Sequence, residues 1–261
     1  MWYITLMALT VLLPLLTFLL LCLVLAGQER EENEPEPAWQ VVALQAALLW
    51  GALLALLTDG LSLLTGLNRL GLSLGWGAAL AGLALVGWRG GRLRTGWARL
   101  RSGLGGLGKL PRSEQAILAA VGGLALALLA VALMAPPNTN DSMRYHMARV
   151  MHWQQNQSLA HYPTAIQVQL WMPPWAELAI LHLVVLEGSD RLANLVQWLA
   201  MLGSVLLSAR LGYLLSGNVK ARAASLSALF CATIPMGALQ ATSTSVRVAL
   251  APTPMLVGGL A

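Results

Sequence analysis

The polar side chains that could do chemistry are concentrated in one segment, residues 136–174. It contains three of the four histidines, one aspartate, two arginines and two tyrosines. These residues are His146, His152, His161, Asp141, Arg144, Arg149, Tyr145 and Tyr162. Loops carry function more often than the elements that they connect. The segment is therefore the candidate site of the chain.

Asp141 is the carboxylate of this segment. At a water–lipid boundary, a carboxylate can act as a general base that takes a proton from an acceptor hydroxyl. Asp141, or its neighbour Asn140, also suits the N-cap of a helix, because a short side-chain acceptor satisfies free amides of the first turn. The two roles are compatible, since a capping carboxylate faces outward from the helix start.

The residues that follow predict an amphipathic helix that lies on the membrane surface. Its expected apolar face consists of Met143, Met147, Val150 and Met151, and its expected polar side consists of Arg144, Tyr145, Arg149 and His152. His146 and His152 are six residues apart and form no HxxH or HExxH pair. A metal site would need a distant third ligand, so we expect them to bind polar substrate groups or phosphate.

The elements around this segment are apolar. Of the 261 residues, 57% are hydrophobic and 10% charged, with a mean hydropathy of +0.67. A soluble domain is about 25% charged, so the composition excludes an ordinary soluble enzyme. Apolar stretches cover residues 3–26, 41–58, 71–88, 115–135, 175–187, 192–215 and 223–239. They predict an all-α polytopic membrane bundle of about seven spans.

Charge predicts the orientation of these spans. Residues 89–114 hold seven of the 16 basic residues, and the positive-inside rule places this loop in the cytoplasm. The next span then leads outward, so residues 136–174 are expected on the extracytoplasmic side. An acidic linker, residues 28–40, is expected on the cytoplasmic side. No nucleic-acid partner is predicted, because the basic residues are explained by orientation.

The candidate loop also resembles a known family. Asp141, the pair Tyr145-His146, Pro163, the pair Pro173-Pro174 and Glu177 occur in an order similar to the first extracytoplasmic loop of GT-C glycosyltransferases. The loop resembles in particular the bacterial relatives of the protein mannosyltransferase and lipid A aminoarabinose transferase group. The resemblance covers residues 136–241.

The resemblance implies a fold, an activity and a site. It implies a multi-pass protein of the bacterial inner membrane that transfers a sugar from a polyprenyl-phosphate donor, with inversion, to a glycan, lipid or protein acceptor. The resemblance makes Asp141 the catalytic base. We assign Arg144, His146 and Arg149 to the donor phosphate from their charge alone, because cationic side chains can offset it. Tyr145, His161, Tyr162 and Glu177 complete the expected substrate-binding set. The resemblance assigns no particular cofactor. A divalent metal is left open, although Asn140 stands where the family often has a second acid.

The chain divides into four parts under this interpretation. Residues 1–135 hold four spans, residues 136–174 the catalytic-type loop, residues 175–240 three further spans, and residues 241–261 an atypical tail that suggests a truncated or frame-disrupted product. Two other classes stay open. One is a non-catalytic assembly partner or flippase subunit for lipid-linked sugars. The other is a transporter, although the chain shows no repeated halves.

Overall fold

The computed structural model describes residues 10–29 and 38–244. These residues fold into helices, with no strand among them, so the all-α prediction is confirmed. The start of the first predicted span, most of the acidic linker and most of the 241–261 tail lie outside the described residues.

Eleven α-helices follow one another along the described chain. They are α1 (Leu12–Ala26), α2 (Trp39–Leu63), α3 (Arg69–Arg89), α4 (Arg92–Gly105), α5 (Arg112–Met134), α6 (Met147–Asn156), α7 (Val168–Trp171), α8 (Trp175–Glu187), α9 (Leu195–Leu215), α10 (Lys220–Ala232) and α11 (Pro235–Gln240). Short 3-10 turns follow α4 and α9, at Gly106–Lys109 and Gly217–Val219.

Four of these helices, α2, α3, α5 and α9, are long and apolar enough to cross a membrane. They have 25, 21, 23 and 21 residues. Their large apolar side chains are often exposed on the protein surface, for example Leu56 in α2 and Leu126 in α5. Such outward-facing apolar surface is expected of helices whose solvent is lipid. The described helices therefore support a membrane protein with four candidate membrane-spanning helices.

The described helices of the other three predicted spans are shorter than these four. The described part of α1 has 15 residues, and α8 has 13, which is about 20 Å of helix against a hydrocarbon core of about 30 Å. The seventh stretch is divided into α10 and α11. It breaks at Ile234, whose backbone is extended, because a residue before proline avoids the helical region and Pro235 opens the next helix.

The centre of the fold is α8. Ten of its 13 residues are buried, and it packs against α2, α3 and α6. A series of buried side-chain hydrogen bonds holds α8 against α2 and α3. The Trp76 Nε1–H donates to His182 Nδ1 at 2.9 Å, and His182 Nε2 lies 2.8 Å from Thr58 Oγ1. Because Nδ1 accepts, the neutral imidazole carries its proton on Nε2 and donates to Thr58. These two hydrogen bonds join α8 to both α2 and α3.

Candidate functional site

The helix that carries the candidate residues begins with a π-helical turn. Residues 140–156 are continuously helical, with a π segment at Ser142–His146 that leads into α6. In such a turn the backbone bonds run from i to i+5, which adds a residue to the turn and rotates everything after it. π turns occur frequently at functional sites.

The N-cap of this helix is Thr139, so the cap predicted at Asn140 or Asp141 is wrong. The Ser142 backbone N–H donates to Thr139 Oγ1 at 3.2 Å, and the two hydroxyls are 2.5 Å apart. Asp141 makes no capping hydrogen bond. The chain becomes helical at residue 140, so Asp141 already lies in the first turn. Its carboxylate is half-buried and has no hydrogen-bond partner among the described residues.

The predicted faces of the helix are also partly wrong. Arg149, expected on the polar side, is 1% exposed, whereas Met143, expected on the apolar face with Met147, is 60% exposed. The π turn explains the position of Met143, because its extra residue separates the register of Met143 from that of α6. Arg149 lies in the regular part of the helix and is buried because Glu177 and nearby carbonyls satisfy its guanidinium. The buried face of α6, which includes Val150 and Trp153, packs against α8.

Glu177 ties this helix to α8. It lies in the first turn of α8 and is fully buried. Its Oε1 is 2.9 Å from His146 Nδ1 and 3.2 Å from Arg149 Nη1. Since a carboxylate oxygen accepts, His146 donates through Nδ1. The positive end of the helix dipole favours a carboxylate at this position.

Arg149 also holds the segment before α8. Its Nε donates to the Gln169 carbonyl at 2.6 Å, Nη1 to the Met172 carbonyl at 3.0 Å, and Nη2 to the Val168 carbonyl at 3.0 Å. The guanidinium also lies 5.5 Å from the centre of the Trp153 ring. Arg149 thus joins α6, α7 and α8. We call Arg149, Glu177 and His146 the buried clamp.

Two polar atoms of the buried clamp have no hydrogen-bond partner among the described residues. They are His146 Nε2 and Glu177 Oε2. Buried polar groups form hydrogen bonds in the large majority of cases, so two buried atoms without a hydrogen-bond partner require an explanation. The Tyr145 ring lies against His146, with ring centres 3.8 Å apart and the two planes tilted by 42°, and Tyr145 is half-buried.

Gln169 is a central residue that the sequence did not indicate. Its Oε1 accepts from the Tyr162 hydroxyl at 3.2 Å and from Thr164 Oγ1 at 3.0 Å. Its Nε2 donates to the Arg144 carbonyl at 2.8 Å. Gln169 thereby connects the stretch after α6 to the π turn. It belongs to no motif, so only the folded chain reveals it.

Tyr162 is buried against α6. Its ring stacks on His152, with ring centres 3.9 Å apart. Burial raises the pKa of the Tyr162 phenol above its ordinary value, and the positive charge of Arg149 opposes part of this effect. The phenol therefore remains a hydrogen-bond donor to Gln169 at neutral pH.

Two cavities flank α6. One, of about 250 Å³, is aromatic and polar and is lined by Arg149, Trp153, Leu159, Ala160, His161, Tyr162, Gln169, Leu170, Trp171, Met172, Pro173 and Pro174. The other, of about 230 Å³, is richer in methionine and is lined by Met143, Met147, Met151, Gln154, Val184, Gly188, Ser189 and Asp190. They give the helix an aromatic side and a methionine-rich side, each with room for part of a ligand.

The structure therefore brings some predicted residues together and leaves others apart. His146 and Arg149 both contact Glu177, and Tyr162 is linked to Arg149 through Gln169. Asp141 lies at the start of the helix, and the side chains of Arg144 and His161 are exposed. Within residues 10–29 and 38–244, no three histidine, cysteine, aspartate or glutamate side chains are close enough to share a metal ion.

Comparison with known proteins adds no family to this description. No family model matches the chain, and no curated protein or solved structure matches it significantly.

Proposed function

We propose that this chain is a GT-C-type membrane glycosyltransferase that moves a sugar from a polyprenyl-phosphate donor to an acceptor at the extracytoplasmic face. One observation carries the proposal. Asp141 is a half-buried carboxylate with no hydrogen-bond partner among the described residues, and it opens a π turn that the buried clamp holds to the core. A carboxylate without a structural bond is free to accept a proton.

The proposed reaction uses Asp141 as the general base. The acceptor hydroxyl oxygen attacks the anomeric carbon of the donor sugar, and its proton passes to the Asp141 carboxylate. The bond between the anomeric carbon and the phosphate oxygen breaks on the opposite face. The polyprenyl phosphate leaves with the electron pair, so the sugar is transferred with inversion. No cofactor enters this step.

The surroundings of Asp141 suit such a donor. Arg144 is exposed three residues after Asp141 and could neutralise a phosphate. The methionine-lined cavity begins at Met143 and offers apolar surface to an isoprenoid chain. The aromatic cavity beside His161 and Tyr162 could receive a sugar.

The buried clamp has a positioning role in this proposal. His146, Arg149 and Glu177 are buried and engaged with one another, so they hold the π turn and α7 in place. The phosphate contacts first expected for His146 and Arg149 stay predictions, because both side chains are buried and Arg149 is already bonded to Glu177 and to three carbonyls. Arg144 is the better candidate for direct contact.

The finer architecture is part of the proposal. We infer seven spans, with residues 140–156 as an interfacial helix at the outer face of a bacterial inner membrane. The apolar surface of α2, α3, α5 and α9 and the basic charge of residues 89–114 support this arrangement.

Donor turnover tests the function. Vesicles containing the purified protein should convert a polyprenyl-phosphate sugar into polyprenyl phosphate, and protein-free vesicles should not. Glycan and lipid analysis of a deletion strain should show one lost sugar modification, which identifies the acceptor. If neither donor consumption nor a missing modification is found, transfer is refuted and a non-catalytic partner is favoured.

A further inference from the structure

Helix α4 contains two copies of a seven-residue pattern. Residues 92–98 read RLRTGWA and residues 99–105 read RLRSGLG. Seven residues are close to two helical turns, so equivalent positions of the two copies lie on the same side of the helix, with a drift of about 20°. The pattern therefore gives α4 four stripes: Gly96 with Gly103, Leu93 with Leu100, Trp97 with Leu104, and Arg94 with Arg101.

The glycine stripe docks α4 on the bundle. A Cβ atom at Gly96 would lie 2.0 Å from the Leu23 carbonyl oxygen of α1, and one at Gly103 would lie 3.5 Å from Trp39 of α2. Arg99 completes the contact, because its Nη1 donates to the Ala26 and Gln28 carbonyls, each at 2.9 Å. These bonds satisfy carbonyl groups at the end of α1.

The other two stripes face away from the bundle. Trp97 is 62% exposed and Leu104 is 50% exposed. Arg94 and Arg101 are exposed beside them, with no ion pair or hydrogen bond to any described residue. The docked side of α4 is therefore already used, and an apolar stripe next to a cationic stripe remains on the outside.

We propose that this outer side of α4 binds the headgroups of anionic phospholipids. Trp97 and Leu104 would enter the boundary between headgroups and acyl chains, where indole rings and leucines are favoured in interfacial helices. Arg94 and Arg101 would lie at headgroup level, and each attracts negative lipid charge. Charge complementarity favours this ligand, because α4 itself carries four arginines and no acidic residue.

The position of α4 in the chain supports a lipid surface. It connects α3 to α5, two helices that can each span the membrane, and so it must lie near one boundary of the bilayer. Asp141 follows the far end of α5, whose 23 residues extend about 35 Å. The lipid surface is thus distant from Asp141 and does not depend on glycosyl transfer.

Lipid titration followed by native mass spectrometry tests the proposal. The purified full chain in detergent is titrated with phosphatidylglycerol or phosphatidylcholine, and the Kd of the first bound lipid is measured. We expect tighter binding of phosphatidylglycerol. The R94Q and R101Q variants should each weaken that binding by about fivefold at low salt, and the double variant by more. Glutamine keeps the helix propensity of arginine, so α4 should stay helical.

R191Q is the matched control, because Arg191 is exposed outside α4. It should leave the phosphatidylglycerol affinity unchanged. Phosphatidylcholine affinity should be the same in all the arginine variants. The proposal is overturned if the double variant keeps the wild-type preference for phosphatidylglycerol, or if R191Q lowers it as much as R101Q does.

Discussion

Replacing Arg149 by alanine should strongly destabilise the protein, although no catalytic step is assigned to this residue. The change removes the hydrogen bond to Glu177 and three bonds to the carbonyls of residues 168, 169 and 172. The Glu177 carboxylate would then be fully buried with His146 as its remaining partner among the described residues. Breaking a buried ion pair by removing one partner costs roughly 3–5 kcal/mol.

The assay is equilibrium unfolding of the detergent-solubilised protein, with helical content as the readout. Arg144→Ala is the matched control, since it removes the same residue type from the same helix but from an exposed position. Surface changes of this kind shift stability by about 0.5 kcal/mol or less. Limited proteolysis should also cut the 157–174 stretch faster in Arg149→Ala than in wild type.

The double variant Arg149→Met/Glu177→Leu separates the two parts of this cost. Replacing both charges by apolar groups removes the penalty of an unpaired buried carboxylate, so stability should partly recover. The freed carbonyls remain, so recovery should be incomplete, at about 1–3 kcal/mol below wild type. A loss in Arg149→Ala no larger than that in Arg144→Ala would refute the clamp.

Three further predictions concern α4, Tyr162 and the N-cap residue Thr139. Gly96→Ala should destabilise the docking of α4, because its Cβ would lie 2.0 Å from a carbonyl oxygen. A Cβ at Gly105 would meet nothing within 4 Å, so Gly105→Ala should be neutral or stabilising by up to about 1 kcal/mol. Equal thermal midpoints for the two variants would contradict the close contact at Gly96. Tyr162 should ionise above pH 10, which the difference in tyrosinate absorbance between wild type and Tyr162→Phe measures. Because its pKa is raised in the folded state, the contribution of Tyr162 to the free energy of unfolding should be complete below pH 10 and should decline above it. Thr139→Ala should cost about 1 kcal/mol through the lost cap, while Asn140→Ala should not; the opposite order would restore the capping role first expected for Asn140.

The sequence predicted the helical class well because long apolar stretches report directly on helices in lipid. The bounds of α3, α5 and α8 agree with the predicted stretches to within about three residues. The division of the last stretch was missed, although Pro235 could have indicated it.

The candidate site was harder to predict, because its geometry depends on contacts between distant residues. Periodicity predicted Arg149 on a polar outer side, but its guanidinium is buried because Glu177 and carbonyls of the segment before α8 satisfy it. The pairing of Arg149 with Glu177 across 28 residues has no local signal. Gln169 was missed for the same reason, since its bonds join side chains and carbonyls that only folding brings together.

The most direct test of the proposed function is the rate at which the Asp141→Asn variant releases polyprenyl phosphate from its sugar donor in vesicles. Asparagine keeps the shape of the side chain but cannot act as a base, so the rate should fall by about 100-fold or more while insertion and thermal stability stay at wild-type values. Asp59→Asn, which changes an exposed carboxylate in α2, should retain the wild-type rate. Full activity in Asp141→Asn would contradict the account.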